Sequence, residues 1–409
     1  MSPSPKRSKA KIKKPRGNPV VNDDIGAYLL RKQQETELEA AVCKLFCEGV
    51  SPSDIPFALA HRYHGRLPQL GREDPYRIIA RATLSGRLVY TPATQITLEQ
   101  DIKNKRPSLK EVRVVVAGSN DDVAFVAATV MLDWLASKAE LAESTGDHAP
   151  SVGIGWSGGL TLANTAKHVS QLIRRETIRR LPKKIELSSL IGASFSLTGK
   201  NPNSFLGWSA LDQEQWNPTP GHQRHPEIVY HGLPVPELVP RKDFAALTSC
   251  APIQEALQAA RKVQLLCTSA GVWKDPANSL RQLLESRSPR KFERLERECA
   301  GDVFWRPLNN EGRLIDLTDE EMDHKIVTPF EDLESIDRCI RSGQCDSLVV
   351  IGPRSDFRED RREIVRAIFN SPYQLCTHLV IDHHSVAGVM EALWSSSKES
   401  EGARRNFVI

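Results

Sequence analysis

The segment with the clearest chemical potential is residues 151–169, SVGIGWSGGLTLANTAKHV, where an apolar strand runs into paired glycines and a helix opens at Thr161. Such a step aims free backbone N–H groups and the positive end of a helix at one point, so its natural ligand is an anion such as a phosphate or carboxylate. Gly158 and Gly159 permit close backbone approach, and Thr161 adds a hydroxyl donor. The segment reads equally as a tight strand-to-helix turn without a ligand. No Lys-Ser/Thr pair follows the glycines, and there is no GxGxxG with a well-placed acid, so nucleotide hydrolysis and a standard dinucleotide site are disfavoured.

Three further segments carry polar groups at the ends of apolar runs. They are LLCTSAGVW (265–273), which ends in a glycine turn at Gly271; CAGDVFWRPLNNEGRLI (299–315), with Gly301 and Asp302; and HLVIDHHSVAGVM (378–390), with Asp382. Asp302 and Asp382 also read as a general acid and base, but no lysine or other clear base accompanies them, so binding is favoured over turnover and no catalytic residue is assigned. Neighbouring His383 and His384 point to opposite faces of a strand and have only Asp382 nearby, which argues against a metal site. No cofactor is implied.

The elements that must position these groups alternate. Strands are expected at VRVVVAG, SVGIGW, KIELSSLIG, VQLLCTSAG, SLVVIG and THLVIDH, most followed by helical segments, and this predicts a mostly parallel, Rossmann-like α/β sheet covered on both faces. Residues 201–246 are poorly periodic and read as a long irregular insertion near the sheet edge. In front of the α/β domain, three amphipathic segments predict a trihelical block. The first carries Leu38, Val42, Leu45 and Phe46 and closes on Gly49; the second carries Ile55, Leu59 and Tyr63; the third carries Ile78, Ile79 and Ala82 behind Pro75. RLVYTP (87–92) reads as a short strand that would form a wing. Helices and wing fit within about sixty residues, the size of a trihelical DNA reader. Arg72, Arg77 and Arg81 are its candidate contacts to double-stranded DNA, with ordinary surface arginines as the alternative.

The resulting division is a basic disordered tail over 1–34, a winged helix-turn-helix over 35–93, a polar linker over 94–110, the α/β domain over 111–398, and a tail over 399–409. The 409 residues carry a net charge of +4, and seven basic residues fall between Lys6 and Arg16 with no acid before Asp23. That run reads as a solvated tail, a phosphate-contacting arm or, in a nucleated cell, a nuclear import signal. Eight scattered cysteines without a CxxC pair point to reduced thiols and a cytoplasmic location, and no apolar run is long enough to span a membrane.

The order of these segments resembles the SorC/DeoR-type sugar-binding transcriptional regulators, over about residues 36 to 395. In that family a helix-turn-helix precedes an α/β effector domain related to sugar-phosphate isomerases. Gly159 and Thr161 fall on its strand–GxTx–helix step, Gly271 on a glycine loop, Ala300, Gly301, Asp302 and Gly312 on its Ala-x-Gly-Asp segment, and Asp382 on its closing strand. The resemblance implies a phosphorylated-sugar effector, control of DNA binding, and assembly as a homodimer or homotetramer. Two departures stand out. The family's lysine before a late helix is absent from IGPRSDFREDRREIVRAIF (351–369), where Arg354, Arg358, Arg361 or Arg362 are the available cations and Arg358 is the chosen candidate; and the connection between the second and third helices is long. The alternatives are a sugar-phosphate isomerase-like enzyme and a divergent interaction protein that does not bind DNA.

Overall fold

The structure is a computed structural model that describes residues 22–63, 67–84, 91–117, 119–146, 151–175, 180–192, 226–287, 289–316, 324–353 and 361–393. The chain divides into two compact units, Met1–Tyr90 and Thr91–Ile409.

The first unit contains α1 (Asn22–Cys47), α2 (Ile55–Arg62) and α3 (Asp74–Leu84). Val42, Leu45, Ile55, Leu59 and Ile78 form its core, so the periodic apolar positions pack as their spacing requires. Gly49 takes φ +86°, and Val50 N–H bonds the Leu45 carbonyl at 3.0 Å, which ends α1 in a left-handed cap. The expected tail over 1–34 needs correction, because α1 already begins at Asn22. Residues 1–21, 399–409 and 87–90, most of the expected wing, lie outside the described residues.

In the second unit the segment expected as a linker is instead largely a helix, α4 (Ile96–Lys105), set against β1 (Glu111–Val115). Its polar face gave it the composition of a linker. Ile102 is nevertheless fully buried, and the buried Glu99 carboxylate accepts the Val114 N–H at 2.9 Å and pairs with Arg113 at 3.5 Å. α5 (Asn120–Ser144), β2 (Ser151–Trp156), α6 (Leu160–Arg175) and β3 (Lys184–Ser189) follow. The expected irregular insertion is also only partly so. Residues 193–225 lie outside the described residues, but Glu227–His231 is β4, paired in parallel with β3 at the sheet edge, followed by β5 (Leu238–Pro240) and α7 (Arg241–Thr248). The unit continues through α8 (Ala251–Arg261), β6 (Leu265–Val272), α9 (Ser279–Arg287), α10 (Pro289–Glu298), β7 (Cys299–Val303), β8 (Arg306–Asn309) and β9 (His324–Ile326). It closes with α11 (Leu333–Arg341), β10 (Asp346–Ile351), α12 (Arg362–Asn370) and β11 (His378–Asp382), before a helix that begins at 387.

The main sheet runs β1-β11-β10-β6-β2-β3-β4, all parallel, and β7 and β8 extend the far end of β6 as an antiparallel hairpin. Both faces are covered. Leu348 and Val350 of β10 point to the layer of α5 and α6, while Val349 and Ile351 point to the layer of α4, α11 and α12. Burial on both faces explains why these strands read as continuous apolar runs rather than alternating ones. The chain leaves β2 toward β3 on one side and leaves β6 toward β10 on the other. The carboxyl ends of β2 and β6 are therefore a switch point, where an open parallel sheet leaves a crevice.

Candidate ligand-binding cleft

A cleft of about 160 Å³ opens at that switch point, bounded by the glycine turn after β2, the end of β6, the β7–β8 hairpin and Arg361. Gly158 and Gly159 both line it with positive φ, +87° and +106°, conformations that L side chains rarely adopt. A Cβ on Gly159 would lie 2.6 Å from Ser269 Oγ, so that hydroxyl would have to turn aside, and it is the φ of +106° that asks for glycine there. Thr161 is buried in the first turn of α6 and donates to Asn120 Oδ1 at 3.3 Å.

Four helix starts converge on the cleft. Asn120 opens α5, Leu160 opens α6, Ser279 opens α9, and Arg361 sits at the N-cap of α12; all four residues line the wall. First-turn amides have no acceptor inside their own helix, and each helix start carries a partial positive charge, so the wall has a positive field before any side chain is counted. Arg361 adds a full charge and is fixed at both ends. Its guanidinium donates to the Ala270 carbonyl, and its backbone N–H donates to Ser385 Oγ at 3.1 Å.

Opposite in sign is Asp302, on β7. Its Oδ1 accepts from Asn278 Nδ2 at 2.7 Å, and Asn278 Oδ1 in turn caps α9 by accepting the Arg281 N–H at 2.8 Å. Burial pushes the Asp302 carboxyl up to about 6, against the opposing pull of Asn278 and Arg361. Gly271 pairs with Asp302 across β6 and β7, and a Cβ on Gly271 would press within 2.5 Å of both Asp302 Oδ1 and Asn278 Nδ2.

The structure thus brings Gly158, Gly159, Thr161, Gly271 and Asp302 together on one wall. Gly301 stands behind it, where a side chain would collide with the Gly271 carbonyl and Ile364. Asp382 lies elsewhere. It is fully buried at the end of β11, where Oδ1 accepts the N–H groups of His384 and Ser385 at 3.0 and 3.1 Å. Among the described residues it reaches the cleft only through Ser385 and the Arg361 backbone. Arg354 and Arg358 lie outside the described residues. Among the described residues Arg361 is the arginine that lines the cleft, whereas Arg362 pairs with Glu391 at 3.5 Å. Sequence reasoning also passed over Asn278, whose position before SLRQLLESR is a recognisable N-cap signal, and Trp305, which carries no such signal.

In the first unit, Arg72 and Arg77 are exposed, and Arg77 pairs with Glu73 one turn away at 3.3 Å. Arg81 differs, since its guanidinium holds the buried Glu39 carboxylate at 3.2 Å and ties α3 to α1.

This arrangement defines a class: a helical unit, with three helices among the described residues, followed by a Rossmann-like α/β unit with a cleft at the sheet's switch point. No protein-family model and no curated protein matches the sequence. Solved structures do. The full-length sorbitol operon regulator SorC from Klebsiella pneumoniae is 15% identical, over 88% of this chain and 98% of that one, with a TM-score of 0.51. The sugar-binding domain of a transcriptional repressor from Vibrio fischeri is 15% identical, over 74% of this chain and 100% of that one, with a TM-score of 0.50. The chain has the fold of the SorC-type sugar-binding transcriptional regulators.

Proposed function

We propose that the protein is a transcriptional regulator whose affinity for double-stranded DNA is set by a phosphorylated sugar bound in the cleft. The observation that carries this reading is the meeting of four helix starts and Arg361 around one small cleft that also holds the Asp302 carboxyl. A phosphate satisfies the amides and the guanidinium, while sugar hydroxyls donate to the carboxylate. The three-helix unit supplies the DNA contacts, with Arg72 and Arg77 exposed for phosphate or base contact and the basic run from Lys6 to Arg16 as an added arm. One small reading head binds DNA weakly, so the active form is a homodimer or homotetramer. It works in the cytoplasm, or in the nucleus of a nucleated host.

The test is selection from random duplex DNA across a salt series, with and without a panel of sugar phosphates. Salt-tolerant enrichment of a sequence, altered by one of the sugars, supports the reading; binding that vanishes with salt and ignores every sugar rejects it. One observation favours a second reading. A buried cleft carboxyl raised to about 6 is suited to moving a proton, so an isomerase-like activity at Asp302 is the competing function, and turnover of phosphosugars by the purified protein would establish it.

A further inference from the structure

Between β7 and β8 the chain reverses through two residues, Phe304 and Trp305, flanked by the Val303–Arg306 pair. Both take positive φ, +52° and +59°, and they are the only residues other than glycine to do so among the described residues. A two-residue hairpin with both central φ values positive normally uses Asn-Gly or Gly-Gly, because a Cβ in that conformation crowds the following carbonyl. Two large aromatic residues are a costly choice for this turn, and such strain persists where the side chains are needed.

Phe304 explains half of the choice. Its ring is buried in the core, and its N–H donates to Thr268 Oγ1 at 3.2 Å. Trp305 is only partly buried, resting against two core clusters while lining the cleft. Its indole N–H is committed to the Ser157 carbonyl at 3.3 Å, at the start of the glycine turn. That bond fixes the ring and removes its polar donor, so what Trp305 can offer a ligand is carbon surface. The same cleft carries polar groups from Asp302, Ser269, Thr161 and Arg361.

We propose that Trp305 is the ring platform of the cleft and selects a closed-ring sugar phosphate over an open-chain polyol phosphate. This rests on the phosphosugar reading above. A pyranose presents a flat face of C–H groups to an aromatic ring while its hydroxyls and phosphate reach polar groups at its rim, whereas an extended polyol has no such face.

The experiment is calorimetric titration of the full chain with methyl hexopyranoside 6-phosphates, each matched with its hexitol 6-phosphate, and with adenosine monophosphate as a flat-ring control. In at least one pair the pyranoside binds about tenfold more tightly, the scale of one good aromatic contact. Trp305→Leu lowers that pyranoside to the level of its hexitol and leaves the hexitol unchanged. Trp305→Phe keeps most of the preference but loses the change in indole fluorescence seen on binding, which guards against a leucine variant that fails to fold. Hexitols binding as tightly as pyranosides, a preference that survives Trp305→Leu, or tighter binding of adenosine monophosphate would overturn the proposal while leaving an anion-binding cleft. No binding by any sugar phosphate overturns the phosphosugar reading itself, and the proposal with it.

Discussion

Replacing Asp302 with asparagine should make the protein more stable at neutral pH and less able to respond to its ligand. The Asp302 carboxyl rises from an ordinary 3.8 to about 6 in the fold, mainly through burial. The folded state therefore holds its proton more tightly than the unfolded chain does. The associated stability is fully present below pH 3.8 and is lost as pH rises through 6. At pH 7.5 the difference corresponds to about 3 kcal/mol. His378 has the opposite linkage over nearly the same window. Burial lowers it from 6.5 to about 4, so its contribution is present above pH 6.5 and disappears as pH falls through 4, again by about 3 kcal/mol. In the wild type the two slopes largely cancel between pH 4 and 6.5. Asp302→Asn keeps an acceptor for Asn278 and removes one of the slopes. Melting followed by circular dichroism should show the variant higher by on the order of 5 °C at pH 7.5. The gap should close by about pH 4, leaving the variant with the steeper acid decline. A gap that is absent at pH 7.5, or constant from pH 4 to 7.5, would refute the assignment of a raised carboxyl to this site. The same variant should lose the phosphosugar response, because a buried charge that destabilises the fold is kept for what it binds.

Three other outcomes follow from the geometry. Gly159→Ala places an L side chain at φ +106° with its Cβ 2.6 Å from Ser269 Oγ; the backbone alone costs about 1–2 kcal/mol, and sugar-phosphate binding measured by calorimetry should be lost even where a melting curve shows a folded protein. Arg361→Met should weaken sugar-phosphate binding by at least about tenfold and move the Asp302 titration above 6, since the guanidinium charge helps hold that carboxyl down; carbon-detected NMR of the Asp302 carboxyl reads the shift directly. Arg81→Ala leaves the buried Glu39 without this partner and should lower the stability by about 1 kcal/mol after allowance for the exposure of Arg81, whereas Arg77→Ala should change it by less than about 0.5 kcal/mol, both read from thermal melts. Arg77 is therefore the cleaner probe of DNA contact in a binding-shift assay, and equal melts for the two variants would contradict the structural role given to Arg81.

The residues that were legible in sequence and those that were not differ in what fixes their position. The expected strands along β1, β2, β3, β6, β10 and β11 carry runs of buried apolar residues, and the turn through Gly158 and Gly159 announces itself because few other residues tolerate its backbone. α4 was hidden by its charge, since only Leu98 and Ile102 mark its packed side and Lys103 and Lys105 make it look like a tether. β4 is an edge strand whose Tyr230 and His231 are only partly buried, so its apolar signal is weak. Arg361, the arginine that lines the cleft among the described residues, was hard to single out for a different reason. Arg354, Arg358, Arg361 and Arg362 are equivalent in type, and the choice depends on where α12 begins. Only with its start at Arg362 does Arg361 fall at the N-cap, with its N–H on Ser385 and its guanidinium on the Ala270 carbonyl. Asp382 shows the converse error. A carboxylate at the end of a parallel strand suggests a site, yet its Oδ1 is taken by the two amides of the turn that follows, and its place is two strands from β6, where the cleft opens. Local patterns identify residues that must be buried or must take unusual backbone angles; which of several like charges reaches a ligand is set by the register of distant elements, and that is settled only when the sheet is assembled.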